Sequence, residues 1–365
     1  MIIKRINISS LYIPVFAFLL ANCNADGRPE YISKIPGIDS YGYLPVYEEH
    51  LEEKRIKLTP GLLISGSEQT ENFIGTPFWV EKINDEMWIA DPVKGEVIAF
   101  EKGGGFARKI ATKGGGPGEI QQPASIFFDK AGPTLPNSIW VLDSGLKGII
   151  QFSAEGQETG RIQNEYILPE FFGNRLIVLQ NSTFLVPLMN HEKHVLGVID
   201  QNGDLIDGFV NRIVPLGYQP STHNRVHFDV ESVKNKLAYA YHGLPLILLE
   251  TPGQNEKVIY NFWPGKKLTD FNIDLTPKPK NERAPVKSVI RDLFISGNEI
   301  YFRLQNEIVI FNYENDQAEH VISLVDESGT PMVFQQMIYS DGVFFLVNRF
   351  NSDIYSFTKK GVSNL

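Results

Sequence analysis

The sequence predicts an all-β protein: a six-bladed β-propeller of four-stranded antiparallel blades, its ring closed by an N-terminal strand. Three observations carry the prediction. A unit built on an aromatic anchor recurs along the chain. Apolar runs of 4–8 residues bounded by Gly, Asn, Asp or Pro fill each unit, as strands and hairpins require. No long segment shows a capped 3.6-residue period, while 31 Gly and 22 Pro supply turns.

The elements follow in chain order. Lys4 and Arg5 form a short positive region, and Leu11 to Ala21 is an apolar run of eleven residues. That run is too short to span a bilayer and suits a secretory signal. It ends in Leu20-Ala21-Asn22-Cys23, which resembles a bacterial lipobox, with Asn22 where the consensus has Gly or Ala. The resemblance implies that residues 1–22 are removed and Cys23 is acylated. Cys23 is the only cysteine in the 365-residue chain, so no intramolecular disulfide forms and a lipid accounts for its place. Residues 23–50 are polar and read as a tether, and residues 51–365 as the propeller.

Anchors stand at Trp88, Trp140, Phe184, Tyr239, Tyr301 and Phe345, spaced 44–62 residues apart. Trp88-Ile89-Ala90-Asp91 matches Trp140-Val141-Leu142-Asp143 without a gap, and Ile98 and Phe100 match Ile150 and Phe152. The last copy repeats the pattern with Tyr355 and Phe357 at +10 and +12. Repeats of this length with about four strands each read as propeller blades. One blade cannot bury both faces, so neighbours pack face to face. Few residues follow Phe357, so the last blade lacks a fourth strand. Lys54 to Leu58, or Leu62 to Ile64, are the candidates to supply it and close the ring.

The loop Lys113-Gly114-Gly115-Gly116-Pro117-Gly118-Glu119-Ile120-Gln121-Gln122-Pro123-Ala124-Ser125-Ile126 resembles the inter-blade signature of NHL-type and TolB-like six-bladed propellers, with Ile120 where Phe is commoner. The match covers residues 75–165, fades, and returns at 340–358. The chain is similar to the six-bladed propeller lipoproteins of Bacteroidetes-like bacteria. The resemblance implies the fold and export, and assigns no activity. The Gly-rich loop has no following Lys-Ser/Thr and no helix, so it reads as a tight turn rather than a phosphate cradle.

Composition narrows the function. Charged residues are 21% of the chain and the net charge is −9, which disfavours a nucleic-acid partner. No Gly-x-Ser-x-Gly elbow is present. His191-Glu192-Lys193-His194 lacks the spacing of a helical zinc motif and sits in a hairpin turn. Two sets of polar residues remain as rim or channel candidates. The repeat's +3 position gives Asp91, Asp143, His242 and Asn348, with Tyr241, Arg303 and Arg349 beside it. Asp91 and Asp143 also read as caps of their own hairpins. The innermost strands give Gln122, His223, Arg225, Arg291 and Gln335. His227, Asp292 and Gln336 belong to this second set. Residues 264–285 carry Lys266, Lys267, Lys278, Lys280 and Arg283, a basic loop in an acidic chain.

The expectation is a lipid-anchored envelope protein that binds a protein, peptide or glycan on one face of the ring and needs no cofactor. The alternative, by analogy with other six-bladed propellers, is a hydrolase or lyase with a divalent cation such as calcium in the central channel.

Overall fold

Six repeats of strand-forming sequence become six sheets. The computed structural model describes residues 28–66, 74–128, 138–166, 175–179, 183–188, 190–215, 218–219, 224–264, 274–279, 288–304 and 307–362. The signal segment, Cys23, His223 and most of the basic loop lie outside the described residues.

Each blade is a meander, and its strands are called a to d from the axis outwards. Blade one is Trp79–Ile83, Glu86–Asp91, Glu96–Glu101 and Phe106–Lys113. Blade two runs Pro123–Phe128, Ile139–Asp143, Gly148–Phe152 and Glu158–Gln163. Blade three begins with a two-residue strand, Ile177–Val178, followed by Phe184–Pro187, His194–Ile199 and Leu205–Asn211. Blade four is Val226–Glu231, Lys236–Tyr241, Leu246–Glu250 and Lys257–Asn261. Blade five is Ile290–Ser296, Glu299–Leu304, Glu307–Asn312 and Gln317–Leu324. Blade six has Gln336–Ser340, Val343–Asn348 and Asp353–Thr358, and its fourth strand is Gly61–Ile64.

All six aromatic anchors lie in strand b. That strand is packed on both faces, which is why its sequence is almost continuously apolar. Aromatic contacts join neighbouring blades: Trp88 meets Phe128 at 5.5 Å between centroids, Trp140 meets Phe184 at 4.8 Å, and Tyr301 meets Phe344 at 5.4 Å. These edge-on rings fill the wedge between sheets that twist apart.

Gly61–Ile64 closes the ring by pairing antiparallel with Ile354–Ser356. The other candidate, Arg55–Leu58, pairs parallel with the outer strand of blade five instead.

The stretch expected as a tether is folded from Arg28 onward. Ile32, Ile35 and Ile38 recur every third residue on two short 3₁₀ turns, so they share one face and are buried. Gly42–Pro45 then adds a parallel fifth strand to blade four. The Tyr41 hydroxyl donates to Glu250 Oε2 at 2.7 Å and lies 2.7 Å from the Tyr239 hydroxyl. The polar composition of the segment masks this short apolar period. The N-terminal arm therefore straps blades four, five and six from outside. No helix among the described residues is long and apolar enough to cross a membrane.

Candidate functional site

Strand a of every blade runs along the axis, so its first residues crowd one mouth of the channel. At that mouth blades four, five, six and one enclose a cleft of 470 Å³. Blade four contributes His227 and His242, and blade five contributes Arg291, Asp292 and Phe294. Blade six adds Gln335, Gln336, Arg349 and Phe350, and blade one adds Phe78 and Trp79. A second cavity of 860 Å³ opens at the other mouth, around Glu81, Ser232 and Asp341. Trp79 and Arg175 line both and stand between them. The Arg175 guanidinium carbon lies 4.7 Å from the Phe294 ring centroid and 5.4 Å from that of Trp79, and its Nη1 pairs with Asp229 at 2.9 Å.

The floor of the cleft is an ion pair. Arg303, 1% exposed, donates through Nε to Asp292 Oδ2 at 2.5 Å. Its Nη1 and Nη2 donate to the carbonyls of Phe334 and Gln335 at 2.8 and 2.7 Å. Asp292 Oδ2 also accepts the Met337 amide at 3.0 Å. The only carboxylate lining this cleft among the described residues is thus already engaged.

On the blade-four wall, His227 Nε2 and His242 Nδ1 are 3.1 Å apart. Burial pushes the His227 imidazole down to about 3, helped by the charges of Arg303 and Arg225. His242 is pushed down to about 3 as well, first by burial and then by His227, Arg225 and Arg291. Both rings are neutral at pH 7 and share one proton along their contact.

Two guanidiniums, from blades five and six, add to the lining. The Arg349 guanidinium carbon lies over Phe78, 4.0 Å from the ring centroid, and its Nη2 donates to Gln336 Oε1 at 2.8 Å. Its amide donates to Gln335 Oε1 at 2.7 Å. Burial lowers Arg349 to about 10 despite the attraction of Asp292. Arg291 is also lowered, by burial and then by the Arg303 charge. Its Nε is buried and has no hydrogen-bond partner among the described residues. Phe350, 88% exposed, stands at the rim.

The structure brings seven of the sequence candidates together as cleft lining: His227, His242, Arg291, Asp292, Gln335, Gln336 and Arg349. Arg303 sits beneath them. Arg225 lies behind the histidine pair, near enough to act on both imidazoles, and its carbonyl accepts the His242 amide at 2.8 Å. The rest are elsewhere. Asp91 is fully buried and accepts the amides of Gly75, Thr76, Val93 and Lys94. Asp143 does the same for Gln121, Gln122 and Leu146. Each carboxylate caps its hairpin and ties down the strand entering from the previous blade. Tyr241 is core, donating to the Asn211 carbonyl at 2.7 Å. Asn348 caps the Phe350 amide at 3.0 Å. Gln122 lines a separate shallow groove with Pro92 and Gly114. The Gly-rich loop turns on Gly118, whose φ is 77°, and is pinned by Glu158 and Arg161 of blade two. His191 and His194 stack at 5.2 Å in their hairpin turn, where His191 Nδ1 accepts two turn amides.

Sequence reasoning passed over Phe78, Arg175, Ser288, Phe294 and Phe350. Phe350 directly follows a candidate, and a large aromatic in an Asn/Ser/Asp turn is a signal that was available. Arg175 lies before the two-residue first strand of blade three, where the repeat is too short to align.

A calcium ion asks for six to eight oxygen ligands. The cleft offers imidazoles, guanidiniums and one engaged carboxylate, and that donor set does not fit a hard cation. No group of three or more His, Cys, Asp or Glu placed to hold a metal occurs among the described residues. The arrangement suits hydrogen bonding to a negatively charged or polar ligand against aromatic walls.

The profile of a protein family described as 6-bladed beta-propeller, DUF5128, matches residues 68–337. No curated protein matches the chain. Among solved structures, a Bacteroides fragilis protein described as exported shares 14% identity with a TM-score of 0.56, covering 87% of this chain and 99% of its own. A member of the DUF4221 family from Bacteroides vulgatus shares 9% identity with a TM-score of 0.50, covering 82% of this chain and 94% of its own. At such identities the likeness shows the fold.

Proposed function

The chain belongs to the six-bladed β-propeller family DUF5128, and from that premise we propose that it is an envelope-anchored binding module. Its ligand, a protein, peptide or glycan, enters the cleft between blades four, five, six and one. The observation that carries this reading is the convergence of Arg, His and Gln side chains from three blades on one cleft beside exposed Phe350. A concave site with aromatic walls and a few convergent polar groups is the usual form of a ligand pocket. Asp91 and Asp143, by contrast, serve the fold.

The location rests on the first 23 residues: a signal-like apolar run, then a lone cysteine as lipid acceptor. The Bacteroides fragilis protein of the same fold is described as exported. The loop at 113–126 supports kinship with NHL-type propellers.

Two experiments test the proposal. The protein without residues 1–23 is applied to peptide and glycan arrays, beside Phe350→Ala and Val233→Asp variants. Val233 is 91% exposed in the turn between strands a and b of blade four, on the opposite face. Binding that Phe350→Ala abolishes and Val233→Asp leaves intact supports the cleft. The reverse pattern moves the site to the other mouth. For the anchor, metabolic labelling with an alkyne fatty acid should mark the wild type and not Cys23→Ser. Equal labelling of both sinks the lipid assignment.

A further inference from the structure

Among the described lining residues of the cleft, arginines outnumber carboxylates. Asp292 is neutralised by Arg303 beneath it. Arg175, the third lining arginine, is neutralised by Asp229. The two imidazoles are neutral and add no charge. The other two lining guanidiniums are Arg291 and Arg349, and Arg291 makes no ion pair with a described residue.

These two guanidiniums differ in readiness. Arg349 is held by its contact with the Phe78 ring and its hydrogen bond to Gln336. Arg291 makes no hydrogen bond or ion pair to any described residue, although its Nε is shut off from solvent. A buried donor without an acceptor costs free energy that a bound acceptor recovers. Both groups carry a charge that burial disfavours, which an anion would relieve.

Apolar side chains make up much of the remaining lining. Phe78, Trp79, Phe294 and Met337 line the interior, and Phe350 is at the rim. The 470 Å³ of the cleft falls in the range of small organic ligands.

Resting on the reading of the cleft as the binding site, we infer that its ligand is an organic carboxylate, with the anionic head on Arg291 and an apolar body among Phe78, Phe294 and Phe350. The planar carboxylate matches a guanidinium edge two bonds at a time. Inorganic phosphate would satisfy the arginines but leave the aromatic walls bare. The carboxylate comes either from a free small acid or from the C-terminus of a peptide ending in an apolar residue.

The test is calorimetric titration of the protein without residues 1–23 with 3-phenylpropionate and with 3-phenylpropanamide. A second arm compares N-acetyl-Leu-Phe as free acid and as amide. The acid should bind at least about tenfold tighter than its amide, and Arg291→Ala should weaken the acid by about 10- to 100-fold, the range of charge-assisted hydrogen bonds. The amide should be nearly insensitive to Arg291→Ala. Unchanged circular dichroism and melting of Arg291→Ala would exclude misfolding, and Arg291→Lys should retain part of the affinity. Tighter binding of the dipeptide acid points to a chain terminus, and tighter binding of phenylpropionate to a small molecule. Equal affinity for acid and amide overturns the inference, as does indifference to Arg291→Ala. Binding of inorganic phosphate more tightly than either acid also overturns it. So does no heat from any probe at millimolar concentration. A neutral glycan lost on Phe350→Ala in the array experiment would remove the carboxylate and leave the cleft as the site.

Discussion

Replacing Arg303 by Met probes the foundation of the cleft. The methionine keeps most of the apolar stem and removes the guanidinium, so the loss is electrostatic rather than steric. Among the described residues, the hydrogen bonds to Asp292 Oδ2 at 2.5 Å, to the Phe334 carbonyl at 2.8 Å and to the Gln335 carbonyl at 2.7 Å disappear. Asp292 keeps only the Met337 amide among the described hydrogen-bond donors and loses its paired guanidinium in a largely buried site. Breaking a buried pair by deleting one partner costs about 3–5 kcal/mol, and that is the expected loss. Asp292→Asn removes the charge but keeps an acceptor, so it should cost less, about 1–3 kcal/mol. In the double variant the costs should fall short of additive by about 1–3 kcal/mol, because neither charge is then stranded. Urea unfolding followed by tryptophan fluorescence reads all three. A loss below about 1 kcal/mol for Arg303→Met, or strict additivity in the double variant, would refute the role given to this pair.

Three further outcomes are expected. His227 and His242 are held at about 3, below their unfolded value, so the unfolded chain takes up their protons first. Their contribution is complete above about pH 6.5 and is lost as pH falls towards 3, at about 1.4 kcal/mol per pH unit for each ring. The His227→Gln, His242→Gln double variant should therefore show a flatter stability curve between pH 6 and 4; an unchanged slope counts against neutral imidazoles. Asp143→Ala strands the amides of Gln121, Gln122 and Leu146 and should cost about 2–4 kcal/mol in the same urea assay. A value near zero would mean that the carboxylate is not what joins blades one and two. Tyr41→Ala removes a buried ring and its contacts with Glu250 and Tyr239, and should cost about 3 kcal/mol. No measurable change would restore the free-tether reading of residues 28–50.

The blades were legible because their physics is local. An aromatic in strand b and turn residues at its ends are properties of a dozen consecutive residues, and six such units sufficed to count the ring. Closure was legible as a deficit, since blade six lacks a strand. Which segment fills it was not, because Arg55–Leu58 and Gly61–Ile64 are equally strand-like and only the position of blade five separates them. The N-terminal arm was misjudged because Ile32, Ile35 and Ile38 form a three-residue period over too few turns to stand out in a polar context. The cleft is non-local. Asp143 and His242 hold the same place in the repeat, yet one binds three amides and the other faces the axis. The difference lies in what precedes strand a in each blade, which the repeat does not encode. Arginines 291 and 349 were visible as candidates, but their convergence required the ring.

The most direct measurement is a crystal structure of the protein with 3-(4-bromophenyl)propionate, collected at the bromine absorption edge. The account predicts one anomalous peak in the cleft beside Phe294 and Phe350, with the carboxylate on Arg291. A peak in the opposite cavity near Asp341 and Ser232, or a cleft without bromine in crystals that admit the ligand, would contradict it.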